Sequence, residues 1–92
     1  MSIAKGIALI TGSAQGIGRG IALRLARDGF DIALNDLPLK RDQLRAVASD
    51  IESMGRKTHL VPGDVAVEDD VKTIIHDTAE ALGGLDVVSG PC

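Results

Sequence analysis

The sequence predicts an α/β fold: a parallel sheet of four strands, in the order 3-2-1-4, with helices packed against it. Three observations carry this expectation. Short apolar runs alternate with longer stretches in which apolar residues return every third or fourth position. Glycine or proline punctuates the changes of period. A glycine-rich heptapeptide, Gly12-Ser13-Ala14-Gln15-Gly16-Ile17-Gly18, stands between the first apolar run and the first helical one. Short β-α-β connections with right-handed crossovers place such strands in a parallel sheet, and the strand order follows.

Residues 6–10 contain Ile7, Leu9 and Ile10 and end at Thr11-Gly12, as a strand buried on both faces does. Over residues 16–29, Ile17, Ile21 and Leu25 recur every fourth residue, with Ala22 and Ala26 beside them. Arg19, Arg24, Arg27 and Asp28 take other positions. That spacing predicts an amphipathic helix with Gly29 at its C-terminal cap. Residues 31–35 form the second strand on Ile32, Ala33 and Leu34; Asp36 sits at its end and Pro38 stops it. Leu44, Val47, Ala48, Ile51 and Met54 predict a second helix over about residues 40–54, stopped at Gly55. Residues 58–61 are a short third strand before Pro62-Gly63. A third helix runs from about Val67 to Leu82, ended by Gly83-Gly84. Glu68, Asp69 and Asp70 crowd its first turn, where the helix dipole favours negative charge. Its expected inner stripe is Val71, Ile74, Ile75, Thr78 and Leu82. Residues 85–88 are the fourth strand, which breaks into Ser89-Gly90-Pro91-Cys92.

The 92 residues fit one small domain. At 45% apolar and 25% charged, the chain is ordinary globular material and not a disordered segment. Phe30 is its sole aromatic residue, so the core falls to Ile, Val, Leu and Ala. A net charge of −3 with scattered basic residues argues against a nucleic-acid partner, which needs a clustered positive field and stacking aromatics. Cys92 is the only cysteine; it can form no internal disulfide, and no soft-ligand cluster for a metal is present. His59 and His76 have no second histidine at ligand spacing and read as surface or boundary residues; Asp86 reads as structural. The N-terminal apolar run is too short for a signal-peptide core with its cleavage site, and far too short for a membrane span. No membrane partner and a cytoplasmic location are expected.

The glycine-rich turn carries the functional expectation. Gly12 permits a tight turn, Gly16 removes a Cβ that would block a pyrophosphate, and Gly18 lets helix and strand approach closely. The helix start then offers N–H groups to phosphate. The spacing is not that of an ATP-type phosphate loop, and no lysine follows Gly18. Asp36, 18 residues after Gly18, can accept both ribose hydroxyls of adenosine and would repel a 2′-phosphate. Leu37 and Gln15 are neutral, so NAD is favoured over NADP. Asp36 also suits a loop-capping role, and Asn35 beside it can cap or assist locally. Asp64 suits a contact to the adenine amine, with Val65 against the ring; a turn or helix-capping role fits Asp64 equally well.

Thr11-Gly12-x-x-x-Gly16-Ile17-Gly18, Asp36, Asp64-Val65 and Leu85-Asp86-Val87-Val88 together resemble the short-chain dehydrogenase/reductase family. The resemblance spans nearly the whole chain and only about the first third of a typical member. It implies a Rossmann-like fold. It also implies that the turn from Gly12 to Gly18, with Ser13, Gln15, Gly16 and Ile17 in it, holds the pyrophosphate side, that Asp36 selects NAD, and that Asp64 and Val65 hold adenine. The sequence is similar to acetoin/diacetyl-type and 3-ketoacyl-type reductases. The family continues the fourth strand into Val-Asn-Asn-Ala-Gly. Here Gly90 and Pro91 stand in place of the asparagines, and Cys92 in place of the alanine. No residue matches the family's catalytic Asn, Ser, Tyr and Lys, and the chain contains no Tyr.

Residues 1–92 are therefore expected to be a partial NAD(P)-binding Rossmann domain, truncated within or just after the fourth strand. Its function would be the dinucleotide-binding part of an NAD-dependent oxidoreductase, with a small carbonyl or alcohol substrate only in an intact parent. The alternatives are a non-catalytic nucleotide-binding module or a nonfunctional truncated product. The apolar edge of the fourth strand is expected to favour self-association.

Overall fold

A computed structural model describes residues 4–89. The elements alternate as the sequence predicts: β1 (Gly6–Ile10), α1 (Gly16–Arg27), β2 (Phe30–Leu34), α2 (Arg41–Ser53), β3 (Thr58–Leu60), α3 (Glu68–Leu82) and β4 (Val87–Ser89). A short 3₁₀ turn at Pro38–Lys40 leads into α2. The strands form one parallel sheet in the order β3-β2-β1-β4.

Two apolar layers flank the sheet. Ala8 and Ile10 of β1 and Ile32 and Leu34 of β2 pack against Ala22 and Ala26 of α1 and Leu44, Val47, Ala48 and Ile51 of α2. The alternate residues, Leu9 and Ala33, face the other way, onto Ile74 of α3, with Leu82 and Leu85 at the margin. Both faces of the central strands are thus covered, which is why β1 and β2 read as continuous apolar runs rather than alternating ones. Small residues on α1 bring that helix close to the sheet, while larger residues on α2 fill the space further out.

The structure corrects several expectations. The buried face of α1 is Gly18, Ala22 and Ala26, flanked by Ile21 and Leu25, so the inward stripe is rotated from the one centred on Ile17. Ile17 is 73% exposed. The inner face keeps a fourth-residue rhythm, but on Gly18, Ala22 and Ala26, one position on from Ile17, Ile21 and Leu25, because small side chains make the close approach. On α3, Ile74 and Thr78 are buried but Ile75 is largely exposed. Strand β2 starts and ends one residue earlier than expected; Asn35, just past its end, still donates its N–H to the Ile10 carbonyl at 3.0 Å, while its side chain turns to the loop after β3. Strand β3 ends at Leu60, although Val61 still donates its N–H to the Leu34 carbonyl at 2.9 Å. Ser89 does not break the fourth strand; it pairs with Ile10, and its carbonyl accepts the Thr11 N–H at 2.9 Å. Gly90, Pro91 and Cys92, and with them the expectations about a broken strand, a missing motif and a lone cysteine, lie outside the described residues.

Asp86 accepts the Ile7 N–H at 2.9 Å through its carboxylate, the structural role expected for it. His76 is exposed on α3, 3.0 Å from Glu80, and His59 is half-buried on β3. Among the described residues no helix is long and apolar enough to cross a membrane, and no group of three or more His, Cys, Asp or Glu is placed to hold a metal ion.

Candidate functional site

Three loops leave the carboxyl ends of β1, β2 and β3 side by side. In open parallel sheets that end is where ligands bind. The first loop is the glycine-rich turn. Gly12 and Gly16 adopt positive φ, 62° and 61°, which an L side chain resists. A Cβ on Gly16 would meet no atom within 4 Å, so the space it borders is open. Gly18 acts differently. A Cβ there would land on the Gly12 carbonyl and lie 3.1 Å from the Ser13 Cα. Its absence lets α1 close onto the turn's own backbone rather than onto the strand.

Helix α1 begins without the usual complement. Gln15 is its N-cap in extended conformation, makes no side-chain cap hydrogen bond, and no acidic residue follows in the first turn. Its side-chain oxygen instead accepts from the Gln43 amide at 3.3 Å. Helix α3 shows the contrast, with Glu68, Asp69 and Asp70 in its first turn. The positive end of α1 is therefore available to an anion, and that of α3 is neutralised by its own side chains.

The second loop brings Asn35 and Asp36. Asp36 Oδ2 accepts the Ala14 N–H at 3.1 Å, and Oδ1 accepts the Leu37 N–H at 2.8 Å. The carboxylate thus caps its own loop and ties it to the glycine-rich turn. Each of its oxygens can accept a second hydrogen bond, so this local role leaves capacity for two hydroxyls. Ser13 is fully buried, and both its N–H and its hydroxyl are donated to the Asn35 carbonyl, at 2.9 and 3.1 Å. Ser13 thus has its side chain committed inward, beside Ala14, which packs into the core.

The third loop follows β3. Asp64 Oδ1 accepts the Ala66 N–H at 2.9 Å, an Asx turn, and the Asp64 carbonyl accepts the Val67 N–H at 2.9 Å. Asp70, from the first turn of α3, accepts the Asp64 N–H at 2.9 Å. Val65 is exposed. A cavity of about 330 Å³ opens beside this loop, lined in part by Pro38, Val61, Pro62, Gly63 and Asp70.

The structure thus brings Gly12, Gln15, Gly16, Ile17 and Gly18 together with Asp36 at the β1 and β2 ends, and sets Asp64 and Val65 on the neighbouring loop. Sequence reasoning missed the tethering roles of Asn35 and Asp70. The acids at 68–70 were legible only as a complement to the helix dipole, not as an anchor for the preceding loop.

A family model described as short chain dehydrogenase matches residues 6–90. The short-chain dehydrogenase/reductase eriH of Hericium erinaceus is 54% identical over 87 residues, covering 92% of this chain and 34% of that protein. The L-2,3-butanediol dehydrogenase of Corynebacterium glutamicum is 45% identical over 82 residues, covering 89% of this chain and 32% of that protein. Among solved structures, a dehydrogenase/reductase from Sinorhizobium meliloti 1021 superposes with a TM-score of 0.89 at 36% identity, over 98% of this chain and 35% of that one. Carveol dehydrogenase from Mycobacterium avium in complex with NAD gives 0.84 at 28% identity, over 94% of this chain and 35% of that one. The chain spans about a third of the length of the relatives it matches.

Proposed function

The chain belongs to the short-chain dehydrogenase family, and from that membership we propose that it is the NAD-binding part of an oxidoreductase acting on a small carbonyl compound or secondary alcohol. An NAD(P)-type dinucleotide is the cofactor class of such a fold. The uncapped, uncharged start of α1 beside the open face of Gly16 carries the proposal, because it presents N–H groups where a pyrophosphate can approach the backbone.

The chain's own residues bind and orient. The α1 N-terminus takes the pyrophosphate, and Asp36 accepts the ribose hydroxyls while repelling a 2′-phosphate. Asp64 accepts the adenine amine, and Val65 lies against the ring. When bound, the nicotinamide gives or takes the hydride. No Tyr is present among the 92 residues, so these residues are assigned no proton-transfer step. The butanediol dehydrogenase relative supports a small ketone or alcohol of acetoin/diacetyl type as substrate class of the whole protein; a 3-ketoacyl substrate is the competing class.

Calorimetric titration of the chain with NAD and NADP tests the proposal. NAD is expected to bind and NADP to bind at least tenfold more weakly, since a phosphate brought beside the Asp36 carboxylate costs roughly 1.4 kcal/mol or more at ordinary salt. Equal affinity for the two would remove the assignment to Asp36, and no binding of either would remove the cofactor site.

A further inference from the structure

Asn35 is 2% exposed and sits where the three loops meet, yet nothing in the binding scheme above uses it. Its side-chain amide donates to the Val61 carbonyl at 2.8 Å and to the Gly63 carbonyl at 3.3 Å. Its main-chain carbonyl accepts both bonds from Ser13, and its N–H donates to the Ile10 carbonyl at 3.0 Å. One residue therefore touches the end of β1, the glycine-rich turn and the loop after β3. The division of labour is clean: the main chain holds the phosphate side, and the side chain holds the loop that carries Asp64.

We propose that Asn35 is a positioning residue for recognition of the base, acting through the Val61 and Gly63 carbonyls to fix Asp64 opposite the adenine amine. This rests on the nucleotide-binding function proposed above and deepens it. Asn35 does not touch the dinucleotide. It joins the loop tip to the sheet at the two carbonyls that precede Asp64, in a buried setting where no solvent competes for them. Removing the amide leaves the Val61 N–H bonded to the Leu34 carbonyl, the Gly63 N–H to the Asp36 carbonyl at 3.0 Å and the Asp64 N–H to Asp70 at 2.9 Å, so strand pairing survives while the Val61 and Gly63 carbonyls lose their buried donor and the loop shifts about the ties that remain. Affinity for the pyrophosphate side should then persist while discrimination of the base is lost.

The test compares NAD with nicotinamide hypoxanthine dinucleotide, which carries an oxygen in place of the adenine amine. The unaltered chain is expected to favour NAD by about tenfold or more, the value of one hydrogen bond to a charged acceptor. In Asn35→Ala and in the near-isosteric Asn35→Asp, which replaces the donor by an acceptor, the ratio is expected to fall toward one, with binding of inorganic pyrophosphate unchanged. A merely structural role would weaken both dinucleotides together and leave the ratio alone. A folded variant that keeps the ratio therefore overturns the inference and leaves the nucleotide site standing. An unaltered chain that binds NAD with no preference for adenine also overturns it. An unaltered chain that binds neither dinucleotide overturns the nucleotide site and this inference with it. Should the variants fail to fold, NMR on the unaltered chain decides. The Asn35 side-chain amide resonances are expected to shift with AMP and not with pyrophosphate; equal shifts, or none with AMP, refute the role.

Discussion

At the scale of single residues, Gly16 and Gly18 of the same turn do different work. Gly16 borders open space and is constrained by its φ of 61°, whereas Gly18 is constrained by the Gly12 carbonyl packed against it. Gly16→Ala should destabilise the free chain by about 1 kcal/mol, the cost of a left-handed alanine, and weaken NAD binding beyond that, because the new methyl projects into the space a pyrophosphate needs. Gly18→Ala should cost about 3 kcal/mol, the upper end of overpacking, since its clash is with backbone that cannot rotate away. Urea denaturation with and without NAD separates the two; equal losses of stability would show that the clash at Gly18 relaxes. Asp36→Ala removes the proposed ribose acceptor and, with it, the observed tie to Ala14. It should weaken NAD binding about tenfold and flatten the preference over NADP, and an unchanged preference by calorimetry would acquit Asp36 of selecting the cofactor. The turn and Asp36 were legible in the sequence as parts of a fixed motif with a set spacing, though not the bond from Ala14 to Asp36 across 22 residues. Asn35 was not, because the carbonyls its side chain meets lie 26 and 28 residues away, brought there only by strand order.

At the scale of elements, the positions of all seven principal helices and strands were legible from period and punctuation, and the faces they bury were less so. On α1 the sequence drew attention to Ile17, Ile21 and Leu25 with Ala22 and Ala26 beside them; Ala22 and Ala26 are the buried contacts, Ile21 and Leu25 pack partly buried against the same core, and Ile17 is exposed. Hydrophobicity marks a face; closeness of packing is set by small side chains, which carry little hydrophobic signal. The junction of β2 with the α2–β3 connection shows a second feature hidden from the sequence. Arg56 donates to the Gly29 carbonyl at 2.9 Å and lies 3.9 Å from Asp31, whose carboxylate also accepts the Lys57 N–H at 2.9 Å. Both side chains are nearly buried, at 8% and 11% exposure. Breaking a direct buried pair typically costs roughly 3–5 kcal/mol; the longer separation here lowers the expectation for Arg56→Met to about 2 kcal/mol. Adding Asp31→Leu should restore part of that loss, because it removes the carboxylate left behind, and only part, because Lys57 then loses its acceptor. Chemical denaturation of the four proteins in a double-mutant cycle measures the coupling; strictly additive losses would mean that the two side chains act independently.

At the scale of the whole molecule, the two faces of the sheet are unequally covered. Helices α1 and α2 bury a broad apolar layer on one side, while among the described residues α3 is the one helix that covers the other, with a smaller layer. The pairing of Leu9 with Val88 places Val88 on the α3 side, where it remains 58% exposed, and among the described residues no strand pairs with the far edge of β4. An apolar residue on an unpaired strand invites another chain to continue the sheet, because edge pairing satisfies backbone groups and covers the side chain in one step. The 92-residue polypeptide should therefore associate with itself as concentration rises, and Val88→Lys should suppress this. A lysine at an edge opposes pairing by charge repulsion, and its stem can still lie along the neighbouring apolar surface, so the monomer's secondary structure should be preserved. Sedimentation velocity over a concentration series, with circular dichroism on both proteins, distinguishes the outcomes. A chain that stays monomeric throughout, or a lysine variant that associates as strongly as the parent, would show that the β4 edge does not drive assembly.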